Sequence, residues 1–530
     1  MEDMGVKGRG IIEPIKRLLI TPFFLKVAYH FGEFAVKNGF GNIGEKGKIL
    51  LFRPSLIWGG AGLTLVSFLL HLRRLGYEPI VALANRPSID FKEDNYQGGN
   101  SPSNGYVFGD YKRVALIRLL RMLDIEVRII GGKREKCPID DVLNEYEEYW
   151  ARVSAFRYYR LAYIDGELPA VLENIYRQRR KQFEFLRCQF FKTVREVSPV
   201  WGVVWHGDLP FGGDALFASY WNYLKIPFLT IIRGIRENTV QLKWDGTFAS
   251  PYNAFFEKYA ISDEIREKFM GYWENRISHK VRDTRYGGED TESVLDEVRR
   301  RRSGRRVIWA FPNVIWDGSL YTAYKYISPL DWIISLVKWA KRYKKEVFLV
   351  IRMHPHEALY YPRARTHHFI MRFIKHVPDN VLIIPPEAKL SSYKVVESMP
   401  DATFTVYNGT IGLEIPLLIG KKAVLAGNAH YSKKGFTIDT NSLDEYFNAL
   451  VENIPYGDNE VYNKALLYAS YYFIFSQLYY PIVENRRETE NYLMFPAVLK
   501  DFELYPRWEW YLSRLSDVEK VKYEKESLIY

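Results

Sequence analysis

Three short apolar runs of the sequence end in residues able to hold an anion or exchange a proton. EVFLVIR leads to Arg352, His354 and Glu357, ATFTVYN to Asn408, Gly409 and Thr410, and KAVLAG to Asn428, His430 and Tyr431. In an open parallel sheet, ligands bind beyond the carboxyl ends of the strands, which is where all of these residues fall. Gly409 and Thr410 open a helical pattern, where free backbone N–H groups and the positive end of the dipole accept an anion, and the missing side chain of Gly409 lets a phosphate come close. Arg352 and His354 would hold the same phosphate from a neighbouring strand. Glu414, one turn after Thr410, shares its helical face and offers a carboxylate to a pair of ribose hydroxyls. Phosphate and ribose stand side by side in a sugar nucleotide.

The histidines also invite a metal reading. His354 and His356 alternate along an extended run, while His367 and His368 are adjacent. Neither pair has the same-face spacing of a helical zinc site, so no metal is expected.

Positioning these residues takes two α/β blocks. In the first, KILLFRP, WGGAGLT, LVSFLLHLRRLG and PIVALA read as strand, glycine turn, helix and strand, and WGVVW, ALFASYWNYLK and PFLTIIRG repeat the rhythm. WGGAG lacks the spacing of a dinucleotide fingerprint and reads as a backbone turn lining a cleft. Between these passes, Cys137 to Val197 is charged and helical in period, as helices packed outside a sheet would be. The second block runs through RVIWAF, the loop PNVIWDG, a helix LDWIISLVKWAKRY capped by Ser328 and Pro329, EVFLVIR, NVLIIPP, SSYKVVES, ATFTVYN, TIGLEIPLLI and KAVLAG. Strands alternating with helices in this way make a Rossmann-like domain.

The polar stretch from Ile277 to Arg306, ending in VRRRRSGRR, reads as a solvated linker. It lacks the interleaved aromatics of a nucleic-acid surface, and no nucleic-acid partner is expected. The organisation expected is residues 1–46 as an amphipathic extension, 47–300 as a first Rossmann-like domain with a helical insertion, 301–455 as a second Rossmann-like domain, and 456–530 as helices packing back on the core.

With 74 Lys and Arg against 63 Asp and Glu, 47% hydrophobic and 26% charged residues, the 530-residue chain is neither disordered nor polytopic. Cys137 and Cys188 make neither a ligand cluster nor a disulfide framework, the pattern of a reducing compartment. The N-terminal stretch is too interrupted by basic residues for a signal peptide, and Ile11 to Phe40 suits either a helix on an anionic membrane surface or one docked on the first domain. The uncharged run from Ala465 to Val483 carries five tyrosines and Pro481, and reads as a buried or interfacial helix rather than a span.

In order, FPNVIWDG, VIRMHPHE, NVLIIPPE, LSSYKVVES, VYNGTIGLEIPLLIGKKAVLAG and AHYSKKGFTID resemble the capsular polysaccharide biosynthesis glycosyltransferases, relatives of the capsule Kdo transferases, over Val307 to Asp439. The resemblance implies a GT-B-like fold of two Rossmann-like domains facing a cleft, 47–300 the acceptor domain and 301–455 the nucleotide-sugar domain, with N-terminal and C-terminal helical extensions. It implies a cytoplasmic enzyme, peripheral on the inner membrane face, that moves a sugar from a nucleotide-sugar donor to a surface polysaccharide or lipid-linked glycan without cofactor or metal. A nucleotide-sugar epimerase of the same fold and a noncatalytic nucleotide-sugar-binding scaffold are the rival readings.

The family's His-Pro motif would map to His354 and Pro355, its nucleotide-contacting helix start to Asn408, Gly409 and Thr410, and its ribose-binding glutamate to Glu414. Its glycine-phenylalanine-threonine loop would map to Gly435, Phe436 and Thr437, placing Lys434, with His430 and Tyr431, near the phosphate or the donor sugar. Pro416 departs from the small residues usual in that helix and bears on the aim of Glu414. By analogy with two-domain glycosyltransferases, the first domain supplies the group that takes the acceptor's proton, for which His206 and Asp208 after WGVVW are the candidates and Asp214 the reserve. Arg233 and Arg236 would hold an anionic acceptor or the leaving phosphate.

Overall fold

In the computed structural model of the chain, the residues described are 46–53, 65, 68–70, 72–73, 76–84, 109–131, 137, 139–158, 167–205, 214–235, 239–247, 262–280, 288–315, 323–359 and 366–479. They form two compact units, the first from residues up to 151, 177–245 and 477 onward, the second from 152–176 and 246–476.

The first unit is built on β1 (Lys48–Phe52), β2 (Glu78–Ala84), α1 (Gly109–Met122), β3 (Glu126–Ile130), α2 (Asp141–Tyr158), α3 (Glu173–Val197), β4 (Trp201–Trp205), α4 (Asp214–Leu224), β5 (Phe228–Arg233) and β6 (Thr239–Trp244). β1 and β4 carry continuous apolar runs because both faces of a parallel sheet are covered, and Ile49, Leu50 and Leu51 have no exposed surface. Phe190 of α3 packs edge-on against Phe52 of β1, with ring centroids 5.2 Å apart, and the expected helices do lie against the sheet. Glu147 of α2 joins them to α4: its carboxylate accepts from Arg187 of α3 and from the Tyr220 hydroxyl of α4, each at 2.7 Å. Cys137 and Cys188 are joined in a disulfide, Cα atoms 5.4 Å apart. This corrects the reading of two separate thiols, because α3 returns Cys188 to the segment before α2, across 51 residues of sequence.

The second unit comprises α5 (Asp263–Ile277), α6 (Thr291–Arg302), β7 (Arg306–Phe311), α7 (Pro329–Arg342), β8 (Val347–Arg352), the short α8 (His356–Leu359), α9 (Thr366–Ile374), β9 (Val381–Ile384), α10 (Ser392–Ser398), β10 (Thr403–Val406), α11 (Ile411–Ile419), β11 (Ala423–Leu425), β12 (Thr437–Asp439), α12 (Leu443–Val451) and α13 (Asn459–Ser470). α7 starts as its sequence dictates: the Ser328 side chain accepts the Asp331 N–H at 3.2 Å and Pro329 occupies the first turn. Trp332 of α7 donates its indole N–H to the Tyr446 hydroxyl at 2.8 Å, and that hydroxyl meets Thr405 of β10 at 2.8 Å, so this buried indole has its donor met.

The first sheet has the order β13-β6-β5-β4-β1-β2-β3 and the second β12-β11-β10-β7-β8-β9. All pairs are parallel except β5 with β6 and β6 with β13 (Leu478–Tyr479). Counted within each unit, both sheets run 3-2-1-4-5 outward from their first strand, the doubly wound Rossmann order. The order reverses between β1 and β4 in one unit and between β7 and β10 in the other.

Two sequence expectations change here. The stretch read as a linker contains α6, whose Leu295 and Val298 are wholly buried while Arg299, Arg300 and Arg302 are exposed. Polar composition hid an amphipathic helix. The described part of the uncharged run, Ala465 to Tyr479, begins in α13, passes through a π-helical turn (Tyr471–Phe475) and enters β13 of the first sheet, so it is largely buried but only partly helical. Among the described residues no helix is long and apolar enough to cross a membrane.

Candidate functional site

At the reversal point of the second sheet, β7 ends into Asn313 and β10 into Asn408, Gly409 and Thr410, which starts α11. A Cβ on Gly409 would stand 3.0 Å from the Asn313 Oδ1, so glycine leaves open the space between the two strand ends. The turn is braced from behind by Tyr431, whose buried hydroxyl donates to the Gly409 carbonyl at 2.6 Å. Gly412, in the first turn of α11, permits that brace: a Cβ there would meet the Tyr431 Oη at 2.3 Å and the Val406 Cγ2 at 2.8 Å. The result is a glycine turn and a helix start pressed onto the sheet.

Arg352 closes β8, beside β7. It is 8% exposed, and its Nη2 donates to the Leu390 carbonyl at 2.8 Å. Its Nε is buried and donates to nothing, and burial lowers the guanidinium to about 10. It stays charged at neutral pH, and a buried charged donor without an acceptor is costly unless a ligand supplies one.

Two residues on, the half-buried His354 accepts the His356 backbone N–H on its Nδ1 at 3.2 Å. Burial, and secondarily the charges of His356 and Arg352, push its pKa down to about 3. The ring is therefore neutral, and since Nδ1 accepts, its proton sits on Nε2, which makes it a neutral donor. Glu357 turns away from this group: wholly buried, it accepts the Thr366 N–H at 3.0 Å and the Thr366 hydroxyl, fixing the start of α9.

Glu414 lies in the first turn of α11, 3% exposed. Its Oε1 accepts from the Arg276 Nε of α5 at 2.5 Å and from the Tyr393 hydroxyl of α10 at 3.2 Å. Burial and the Glu414 charge keep that hydroxyl protonated. Oε2 accepts no hydrogen bond among the described residues. Arg276 also lies over the Phe473 ring, 5.0 Å from its centroid. Pro416 is accommodated inside α11, which ends at Gly420 in the left-handed region.

The other residues expected near the phosphate or donor sugar spread out. His430 is 4% exposed, stacked on Tyr472 with centroids 3.8 Å apart, and bonded through Nδ1 to the Tyr468 hydroxyl at 2.9 Å. Gly435, at φ +85°, lies against Lys464, and Lys434 is half-buried. Thr437 bonds to Asp439 at 2.9 Å and is in register with Ala423, at the amino end of its strand pair rather than the carboxyl end.

In the first unit, Arg233 ends β5 and Asp214 begins α4, buried. His206, Asp208, Arg236, the WGGAG turn, the N-terminal residues 1–45 and residues 480–530 lie outside the described residues, as does the side chain of Arg233. Among the described residues no group of three or more His, Cys, Asp or Glu side chains is arranged to hold a metal ion.

Sequence reasoning missed Asn313, Arg276 and Tyr393. Asn313 was discoverable, since it follows an apolar run directly. Arg276 and Tyr393 carry no local signal, because each matters only through Glu414.

The sequence matches no known family profile and no curated protein. Solved structures similar to the chain include UDP-GlcNAc 2-epimerase from Neisseria meningitidis bound to UDP-GlcNAc, at 11% identity and a TM-score of 0.24, covering 81% of this chain and 96% of that one. The spinosyn rhamnosyltransferase SpnG complexed with spinosyn aglycone matches at 9% identity and a TM-score of 0.22, covering 81% and 96%. MurG from Acinetobacter baumannii matches at 10% identity and a TM-score of 0.20, covering 77% and 83%. Likeness this distant bears on neither the site nor the activity, and the two Rossmann-like units rest on their own strand orders.

Proposed function

We propose that the second unit binds a nucleotide sugar and that the chain is a glycosyltransferase of GT-B type, passing the sugar to a surface polysaccharide or lipid-linked glycan. The observation that carries this reading is Arg352: a buried, charged guanidinium with an unmet Nε at the end of β8, with β7 standing between it and β10, whose glycine turn opens a helix. A diphosphate satisfies all three features. Its oxygens accept from Arg352, from His354 Nε2–H and from the N–H groups of Gly409, Thr410 and Ile411, ahead of those that the first turn of α11 bonds internally, while Oε2 of Glu414 accepts from ribose hydroxyls. Asn313 and Asn408 flank the same turn and supply amide groups to a base or sugar.

Glycosyl transfer requires the acceptor hydroxyl to lose its proton as the new bond forms, and His206 or Asp208 takes it in this reading. Arg233 and Arg236 hold the acceptor or the leaving phosphate. Lys434, Gly435, Thr437, His430 and Tyr431 complete the donor side, and the basic, apolar residues 11–40 hold the enzyme to the inner membrane face.

The test is a screen of CMP, UDP, GDP and dTDP sugars for thermal stabilisation, followed by chromatography of reactions with and without a glycan acceptor. Release of nucleotide that depends on acceptor supports transfer. An altered sugar nucleotide formed without acceptor indicates epimerisation, and binding without any turnover indicates a scaffold.

A further inference from the structure

A second cation in the molecule has no use in the site above. Arg53 follows β1 directly, its backbone N–H continuing the β2 register to the Ala82 carbonyl at 3.1 Å. Its side chain is buried, the whole residue being 7% exposed. The guanidinium lies over the indole of Trp205, the last residue of β4, 5.4 Å from the ring centroid. Nη2 faces the Asp214 carboxylate, at the first residue of α4, across 3.4 Å. Nε and Nη1 are buried and donate to nothing.

β1 and β4 are the adjacent strands between which the order of the first sheet reverses. Arg53 therefore stands at the end of the first strand at this reversal point, the strand end that leads to Asn313 in the second unit. A structural ion pair would not look like this. One carboxylate at 3.4 Å reaches one of three nitrogens, and a dry pair of this kind is usually no better for stability than apolar side chains of the same volume. Two buried N–H donors on a fixed cation instead call for an acceptor that brings negative charge and more than one oxygen, and the indole beneath keeps the guanidinium plane in place.

We propose that the first unit binds an oxyanion, a carboxylate or phosphate group of its own substrate, on Arg53, with Asp214 and Trp205 holding the guanidinium in position. That this substrate is the acceptor rests on the transfer reading; the anion site does not.

The test uses the full chain carrying Arg352→Ala, which removes the phosphate ligand of the second unit, and titrates it by calorimetry with inorganic phosphate and, separately, with acetate. Binding of at least one anion, weakened tenfold or more by a further Arg53→Met substitution and less by Arg53→Lys, supports the site; which anion binds tells phosphate from carboxylate. Should Arg53→Met leave Asp214 too costly to bury, the pair Arg53→Met with Asp214→Asn removes both charges and gives the same reading. Absence of binding in the parent, or affinity unchanged in the Met variants, overturns the proposal. Since neither probe is a nucleotide, failure of the donor reading would leave this result standing.

Discussion

Arg276 Nε of α5 lies 2.5 Å from Oε1 of Glu414 in α11, 138 residues further along the chain, and both side chains are buried. The carboxylate assigned to the ribose is therefore not a solvated helix residue. One oxygen is committed to a buried cation and to the Tyr393 hydroxyl, which fixes the direction in which the other can accept.

Removing one partner of a buried pair leaves the other charge uncompensated. Glu414→Gln is expected to lower unfolding stability by about 3–5 kcal/mol, while Arg276→Met with Glu414→Leu stays within about 1–2 kcal/mol of the parent. Chemical denaturation of the three chains reads this. If Glu414→Gln unfolds like the parent, the pair does not carry the charge balance described.

His354 sets a pH dependence. Its folded pKa is about 3 against an ordinary 6.5, so in this window the unfolded chain holds a proton that the folded ring refuses. Stability from this group is whole above the ordinary value and falls as pH drops below it. Between about pH 7 and pH 5 the loss is roughly 1–2 kcal/mol, allowing for the ring's partial exposure, and His354→Gln should abolish that share. Affinity for a nucleoside diphosphate sugar should also stay level across about pH 5–8, where an ordinary imidazole would gain charge and tighten binding on the acid side. A rise in affinity toward pH 5 that His354→Gln removes would contradict the neutral ring.

Gly412→Ala tests the brace behind the glycine turn. The added Cβ would fall 2.3 Å from the Tyr431 hydroxyl and must move either that ring or the start of α11. Expected are a stability loss of about 1–3 kcal/mol and weaker nucleotide binding, because the N–H groups of the helix start are re-aimed. Tyr431→Phe in the same background should recover part of that stability by giving the methyl room, the Val406 Cγ2 at 2.8 Å and the lost bond to Gly409 keeping the rest. No recovery would place the strain elsewhere.

Much of this architecture was legible in the sequence. KILLF, WGVVW, RVIWAF and VFLVIR are strands because a parallel sheet covered on both faces shows itself as unbroken apolar runs, and Ser328-Pro329 marked the start of α7 because capping is local. The antiparallel β6 and β13 and the edge strand β12 escaped notice, being short and dependent on neighbours distant in sequence. The strand-end rule located Arg352, His354, Asn408 and Gly409, and it would have reached Asn313 and Arg53 had it been applied after every run. It had no means of finding Arg276, or of showing that Thr437 opens its strand at the amino end, since both follow from pairings that only the folded chain makes.

The central claim is that the second unit holds a diphosphate on Arg352. Calorimetric titration of UDP, GDP, dTDP and CMP into the full chain and into Arg352→Ala measures it directly. At least one nucleotide should bind the parent and lose about ten- to a hundredfold in affinity on Arg352→Ala, the share of one charge-assisted hydrogen-bonding group, with the melting transition intact. Equal affinity in the two chains, or no nucleotide binding at all, would contradict the account.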